Sequence, residues 1–136
     1  MRILGIDYGM RRIGLAISDP SGFMAQPLAT IDRKDDNDSI REIVRIINER
    51  SVEEVVVGLP VSLSGELGKQ AKDVLQFIEE LKSQTDVNIA TWDERLSTSI
   101  AQRALTDTKA KKARKKDLVD QIAAAVILQG YLDSRR

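Results

Sequence analysis

The chain has 136 residues, 42% hydrophobic and 31% charged, a composition that fits one globular domain large enough to bury a proper core. Its formal charges cancel at pH 7, and it contains neither cysteine nor histidine. Disulfides, a thiol nucleophile, a Ser-His-Asp triad and an ordinary zinc site are thereby excluded, which points to carboxylates as the tools of any catalysis.

Arg2 to Ser18 reads as two short strands joined by a glycine-containing turn. Alternation along the first strand puts Ile3, Gly5 and Asp7 on one face, Leu4 and Ile6 on the other. Gly5 is expected to leave open space beside the Asp7 carboxylate, Gly9 to supply a positive φ in the turn, and Gly14 to let a ligand or another backbone approach closely. Asp7 is therefore a candidate functional acid. Asp19-Pro20-Ser21-Gly22 predicts a turn, and Phe23 to Ile31 a third strand interrupted near Pro27, which completes an antiparallel meander.

The acidic stretch Asp35-Asp36-Asn37-Asp38 precedes a helix predicted over Ser39 to Arg50, with Ser39 and Glu42 at capping-box spacing and Ile40, Ile43, Val44 and Ile47 on one face. Glu54 to Leu59 is a continuous β-branched run, as expected of a central parallel strand covered on both faces. After a loop of small residues, Leu67 to Lys82 carries Ala71, Val74, Leu75, Ile78 and Leu81 at helical spacing. Val87 to Trp92 predicts another strand, ending in Asp93-Glu94-Arg95, and Ser97 to Ser99 the start of a third helix, with Ser99 and Gln102 at capping-box spacing. Leu118 to Leu132 is an almost wholly apolar helix that must be buried along most of its length. The order βββ-α-β-α-β-α-α predicts an α/β fold, a mixed five-stranded sheet with helices on both faces, in one domain of residues 1–136.

Charge is unevenly spread: 8 basic and 3 acidic residues lie from Lys109 onward, against 13 basic and 18 acidic before it, a balance of +5 against −5. Six of the eight residues from Lys109 to Lys116 are positive, including Lys111, Lys112, Lys115 and Lys116, and such a segment attracts a polyanion by counterion release. A solvated linker is the plainer reading. No apolar run approaches the about 20 residues that span a bilayer, and no signal-peptide pattern precedes the first strand, so the expected setting is cytoplasmic, without a membrane partner.

Asp7, Glu94 and Asp120 stand where acids suit the structure poorly, Asp120 most of all, inside LVDQIAAAVIL. A buried carboxylate must be paired, protonated or bound to a metal. Hard oxygen donors suit Mg²⁺ or Mn²⁺, and two such ions stabilise attacking and leaving oxygens in phosphodiester cleavage. The plainer alternatives are a turn-capping Asp7, an ion pair of Glu94 with Arg95 or Arg103, and a pair of Asp120 with a lysine or arginine. Asp117, three residues before Asp120, is a helix cap or a further oxygen donor.

DYGMRRIGLAISD near the N-terminus, VVVGLPVSLSG in the middle, DERLST from Asp93 and VDQIAAAVILQGYLD near the end together resemble the sequence blocks of the YqgF/RuvX family, in the family's order from Met1 to about Asp133. That resemblance implies a ribonuclease H-like fold similar to Holliday junction resolvases. It also implies a divalent-metal nuclease that processes the 5′ end of pre-16S rRNA, with branched DNA as the alternative substrate. Carried across the motifs, Asp7, Glu94 and Asp120 become the catalytic, metal-binding acids, with Asp117 in reserve and Asp93 a weaker rival to Glu94. Arg12 and Arg95 are candidate phosphate contacts; Ser97 and Thr98 fit a helix cap better. Ser62 and Ser64 depart from the asparagine and aspartate common in the family, which bears on any substrate contact of that loop. Trp92 is a packing residue before it is a base-stacking one.

DYGMRRIG also resembles the phosphate-binding hairpin of actin-like and sugar-kinase ATPases, but a second similar domain and a GxxxxGK[ST] loop are both lacking. A noncatalytic ribosome-assembly factor is the third reading. No isolated apolar surface demands a dimer, and a monomer is expected.

Overall fold

The computed structural model describes residues 1–62, 64–96 and 116–135, the side chains of 116 and 117 excepted. Three strands, β1 (Ile3–Tyr8), β2 (Arg12–Ser18) and β3 (Ala25–Asp32), form the predicted antiparallel meander. β4 (Glu54–Leu59) adds in parallel on the other side of β1, and β5 (Asn88–Asp93) in parallel beyond it, giving the order β3-β2-β1-β4-β5. Three helices are described: α1 (Asp36–Glu49), α2 (Lys69–Lys82) and α3 (Lys116–Ser134).

Strand alternation divides the sheet into two chemically different faces. Leu4, Ile6, Ile13, Leu15, Val55 and Val57 point to one side, where Ile40, Ile43 and Ile47 of α1 and Val74, Phe77, Ile78 and Leu81 of α2 close over them. The opposite face carries Ile3, Ala16 and Val56 and receives Ala124, Ala125, Leu128 and Leu132 of α3, which lies across β1, β2 and β3. The small residues bring α3 close: a Cβ on Gly5 would stand 2.7 Å from Leu128 Cβ, and one on Gly14 2.0 Å from the Asp120 carbonyl oxygen. The space expected beside Asp7 at Gly5 is thus filled by the helix. At Gly14 the approaching group is another backbone, one of the two alternatives that its lack of a side chain allowed.

The remaining differences from expectation are local. α1 begins at Asp36, not Ser39, because Asp35 caps it, its carboxylate accepting from the Asn37 N–H at 2.8 Å with Asp36 and Asp38 in the first turn. Ser39 lies inside that turn and is buried. β3 starts at Ala25, since the Asp19 carboxylate accepts from both the Phe23 and Met24 N–H groups at 2.8 Å and holds residues 19–24 in the turn. Pro27 is accommodated on this edge strand beside a register shift at Leu15/Ala16. Gly9 does not adopt positive φ; among the described residues only Ser51, Gly22 and Gly65 do. What it supplies is closeness, because its N–H donates to Arg12 O at 3.0 Å and a Cβ would stand 2.6 Å from that oxygen. α2 starts at Lys69, leaving Leu67 exposed.

At the other end of the sheet, buried Glu54 anchors the last turns of α3. Its carboxylate accepts from Tyr131 Oη at 2.9 Å, Arg135 Nη1 at 2.5 Å and Asn88 Nδ2 at 3.1 Å. Trp92 packs edge-on to Tyr131, with ring centroids 6.3 Å apart, and lies against Gly130. That is the packing role expected of it. No helix among the described residues is long and apolar enough to cross a membrane.

Candidate active site

Asp7 sits near the C-terminal end of β1 on the α3 face, flanked by two glycines. On one side it pairs with Gly14 of β2, and the Asp120 backbone rests directly over that glycine. On the other, Asp7 and Gly58 each stand one residue beyond the last β1–β4 pair, Ile6↔Val57. The Glu94 carboxyl carbon would lie 3.3 Å from a Cβ on Gly58. Gly14 makes room for the Asp120 backbone, and Gly58 for Ile127 of α3 with the Glu94 carboxyl beside it, so acids from the first strand, the end of the fifth and the last helix stand around the middle of the sheet.

The electrostatics record this gathering. Burial raises the Asp7 carboxyl to about 6, and the negative charge of Asp120 adds to the rise. Burial likewise lifts Glu94 to about 7, helped by the charges of Asp7 and Asp93. Both groups therefore give up their protons reluctantly until a positive charge arrives.

Arg12 places its positive charge on Asp120. Its Nε donates to Asp120 Oδ2 at 2.6 Å, joining the start of β2 to the start of α3. No group of three or more acids among the described residues is arranged to grip a metal ion. The donor chemistry nevertheless suits a hard divalent cation: Asp7, Glu94 and Asp120 all supply carboxylate oxygens near the C-terminal end of β1, and burial raises two of them.

Arg95 is engaged elsewhere. It donates through Nη2 to Asp93 Oδ2 at 2.7 Å and through Nη1 to Ser62 O at 3.3 Å, tying the end of β5 to the loop after β4. The guanidinium holds the Asp93 carboxyl below its ordinary range, so Arg95 balances Asp93 rather than Glu94. The strand runs through Asp93, and Glu94 opens a short 3₁₀ turn ending at Leu96. Ser62 closes its own loop: its Oγ donates to Glu66 O and accepts from Glu66 N–H, both at 3.1 Å, and lies 2.9 Å from Ser64 Oγ. Lys111, Lys112, Lys115, Ser97, Thr98, Ser99, Gln102 and Arg103 lie outside the described residues, as do the side chains of Lys116 and Asp117.

Two contributors escaped the sequence reading. Gly58 hides in the apolar run EVVVGL, where a glycine flanked by valine and leucine was the available signal. Arg33 braces the hairpin that carries the site, its Nη1 donating to Gly9 O at 2.8 Å and its guanidinium lying 4.1 Å over the Tyr8 ring. An arginine following a strand carried no such signal.

A mixed five-stranded sheet with an antiparallel meander, two parallel strands and an acid-bearing last helix defines a ribonuclease H-like protein of the resolvase type. The chain aligns over 99% of its length with 96% of Thermus thermophilus RuvC solved with a Holliday junction substrate, at TM-score 0.68 and 14% identity. It aligns over 98% with 99% of the fowlpox virus Holliday junction resolvase, at TM-score 0.59 and 14% identity.

Residues 1–134 match the family model described as RuvX, Holliday junction resolvase, and the chain belongs to that family. A relative from Clostridium novyi named "Putative pre-16S rRNA nuclease" is 46% identical over 134 residues, covering 98% of this chain and 99% of its own. One of the same name from Desulforamulus reducens is 46% identical, covering 98% of each.

Proposed function

We propose that the protein is an endonuclease that hydrolyses phosphodiester bonds at the 5′ end of pre-16S rRNA during ribosome biogenesis, with Asp7, Glu94 and Asp120 as its catalytic acids. The observation that carries the chemistry is the pair of glycines flanking Asp7: the Asp120 backbone rests on Gly14, and the Glu94 carboxyl approaches Gly58 beside Ile127. The RNA substrate is supported by the name shared by full-length relatives at 46% identity. Branched DNA is the second substrate reading, favoured by the family description and by the resolvase architecture.

Asp7, Glu94 and Asp120 would hold the Mg²⁺ or Mn²⁺ that such chemistry uses. When bound, the ion would activate water and neutralise charge on the scissile phosphate. Arg12 has two partners to choose between in this scheme. In the free protein it neutralises Asp120; with substrate bound, its guanidinium turns to a phosphate oxygen, a fork-shaped donor being well matched to that group. Asp120 is then released toward Asp7. The basic segment with Lys111, Lys112, Lys115 and Lys116 supplies nonspecific attraction for the backbone, and Arg95, by ordering the loop after β4, positions the end of β5. This reading places the protein in the cytoplasm, acting as one ribonuclease H-like domain and as a monomer.

The test is incubation of purified protein with precursor rRNA and with a four-way DNA junction, in Mg²⁺, Mn²⁺ or EDTA, beside Asp7→Asn. Metal-dependent cleavage of the precursor, lost in the variant, is expected. Cleavage that persists in Asp7→Asn would remove the acids from the mechanism, and binding without cleavage would make the protein an assembly factor.

A further inference from the structure

The turn between β1 and β2 carries Met10, which is 83% exposed, the most exposed of the large hydrophobic residues described. It is not on a loose tip. Gly9 N–H donates to Arg12 O at 3.0 Å, Arg33 N–H to Arg11 O at 2.9 Å and Arg33 Nη1 to Gly9 O at 2.8 Å, so three hydrogen bonds hold the backbone on both sides of the methionine. A soft apolar side chain is thus presented to solvent on a braced support, at the cost of exposed apolar surface.

Beside it runs a groove of about 520 Å³, with Met10 on one wall and Lys69, Gln70, Lys72, Asp73 and Gln76 of α2 on the other. Lys69, Lys72 and Gln76 follow helical spacing and share one side of α2. Neither lysine makes an ion pair among the described residues, whereas Asp73, the one acid of the lining, faces Arg33 Nη1 at 3.6 Å. The groove therefore combines an apolar wall, methylene stems and two uncommitted ammonium groups, with its negative charge already opposed. The hairpin that carries Met10 also carries Asp7, three residues before it, and Arg12, two after, while the groove itself lies on the α2 side of the sheet.

We infer that this groove holds a single-stranded segment of nucleic acid flanking the cleaved bond, with a base against Met10 and adjacent phosphates on Lys69 and Lys72. The inference rests on the nuclease reading and extends it to the form of the substrate. A duplex offers such a surface phosphates alone and would leave the methionine in water. An unpaired strand offers a base face for the apolar wall together with phosphates for the lysines.

Binding in EDTA, where no cleavage occurs, separates the two ideas. The probes are a short fluorescein-labelled single-stranded oligoribonucleotide and its blunt duplex, followed by anisotropy across a salt series. The double variant Lys69→Gln/Lys72→Gln is expected to bind the single strand more weakly and to lower its log–log salt slope by about 1.4, two phosphate contacts at about 0.7 each. Met10→Ser is expected to weaken single-strand binding several-fold with its slope unchanged and to leave duplex binding as it was. All three side chains are exposed, so unchanged melting temperatures are expected to show intact folding.

Single-strand affinity and slope equal to wild type in both variants would overturn the inference while leaving the acids in place. So would equal losses on duplex and single strand. Failure of the wild-type chain to bind the single strand would overturn the inference alone, whereas the nuclease reading falls only if precursor rRNA and the junction both stay uncleaved with metal present.

Discussion

The two faces of the sheet solve different problems with the same strands. Toward α1 and α2 the strands present leucine, isoleucine and valine, and the helices meet them across a thick layer of branched side chains. Toward α3 they present Gly5, Gly14, Ala16 and Gly58, and the helix comes down almost onto the backbone. The first arrangement maximises buried apolar area. The second gives up some of that area for proximity, and proximity brings Asp120 beside Asp7, while Glu94 arrives from the end of β5. A helix held off by ordinary side chains would leave the acids too far apart to act together.

Breaking the close-packed face should have the largest effect on function. Gly14→Val places a side chain where the Asp120 carbonyl now lies, so α3 must shift or tilt. Cleavage is expected to fall about 100-fold or more, as misplacing a reacting group by about 1 Å can do, measured as kcat on precursor rRNA. Wild-type kcat would show that the approach of the helix is unimportant. The thick face should respond the other way. Leu81→Ala, at a fully buried position in α2, is expected to cost about 2–5 kcal/mol of stability in denaturant titration while the folded fraction keeps its kcat.

A pH titration of stability sharpens the contrast further, because the folded-state carboxyls of Asp7 and Glu94 are raised to about 6 and about 7. Between the ordinary carboxylate range and those values the folded protein binds more protons than the unfolded chain. Their contribution to stability is complete at low pH and is lost as pH rises through about 6 to 7. Melting in EDTA should therefore show stability declining over that interval, and the double variant Asp7→Asn/Glu94→Gln should flatten the decline. A decline that persists unchanged in the variant would assign it to other groups. Activity should run in the opposite direction, rising as the two acids ionise and can accept a cation.

The smallest effect on the fold is expected from Arg12→Gln. Its ion pair with Asp120 is partly exposed and contributes little to stability. Loss of that pair should nevertheless leave Asp120 uncompensated beside Asp7 and raise the Asp7 pKa further, by the same repulsion that already acts there. An NMR titration of the Asp7 carboxyl carbon would read this, and an unmoved value would show that Arg12 does not shield the pair.

Much of this site was legible in the order of residues. Alternation alone placed Asp7 on the face opposite Leu4 and Ile6, and an acid inside LVDQIAAAVIL was conspicuous because burial of a charge demands a partner. The motifs joined Glu94 to the other two. The partner of Arg12, the commitment of Arg95 to Asp93 and the work done by Gly58 were not legible, since each depends on residues far apart in the chain. The helix start was misplaced for a related reason: Asp35 and Ser39 both offer a cap, and only burial of Ser39 against the core decides between them.

By itself the sequence determined the strands and helices of the described residues, their faces and the acids they carry, because hydrophobic period and side-chain chemistry are local properties. Tertiary structure decided the strand order, the near contact of α3 with Gly14 and the choice of Arg12 for Asp120. Those depend on which surfaces meet, and close packing is settled among all the neighbours at once.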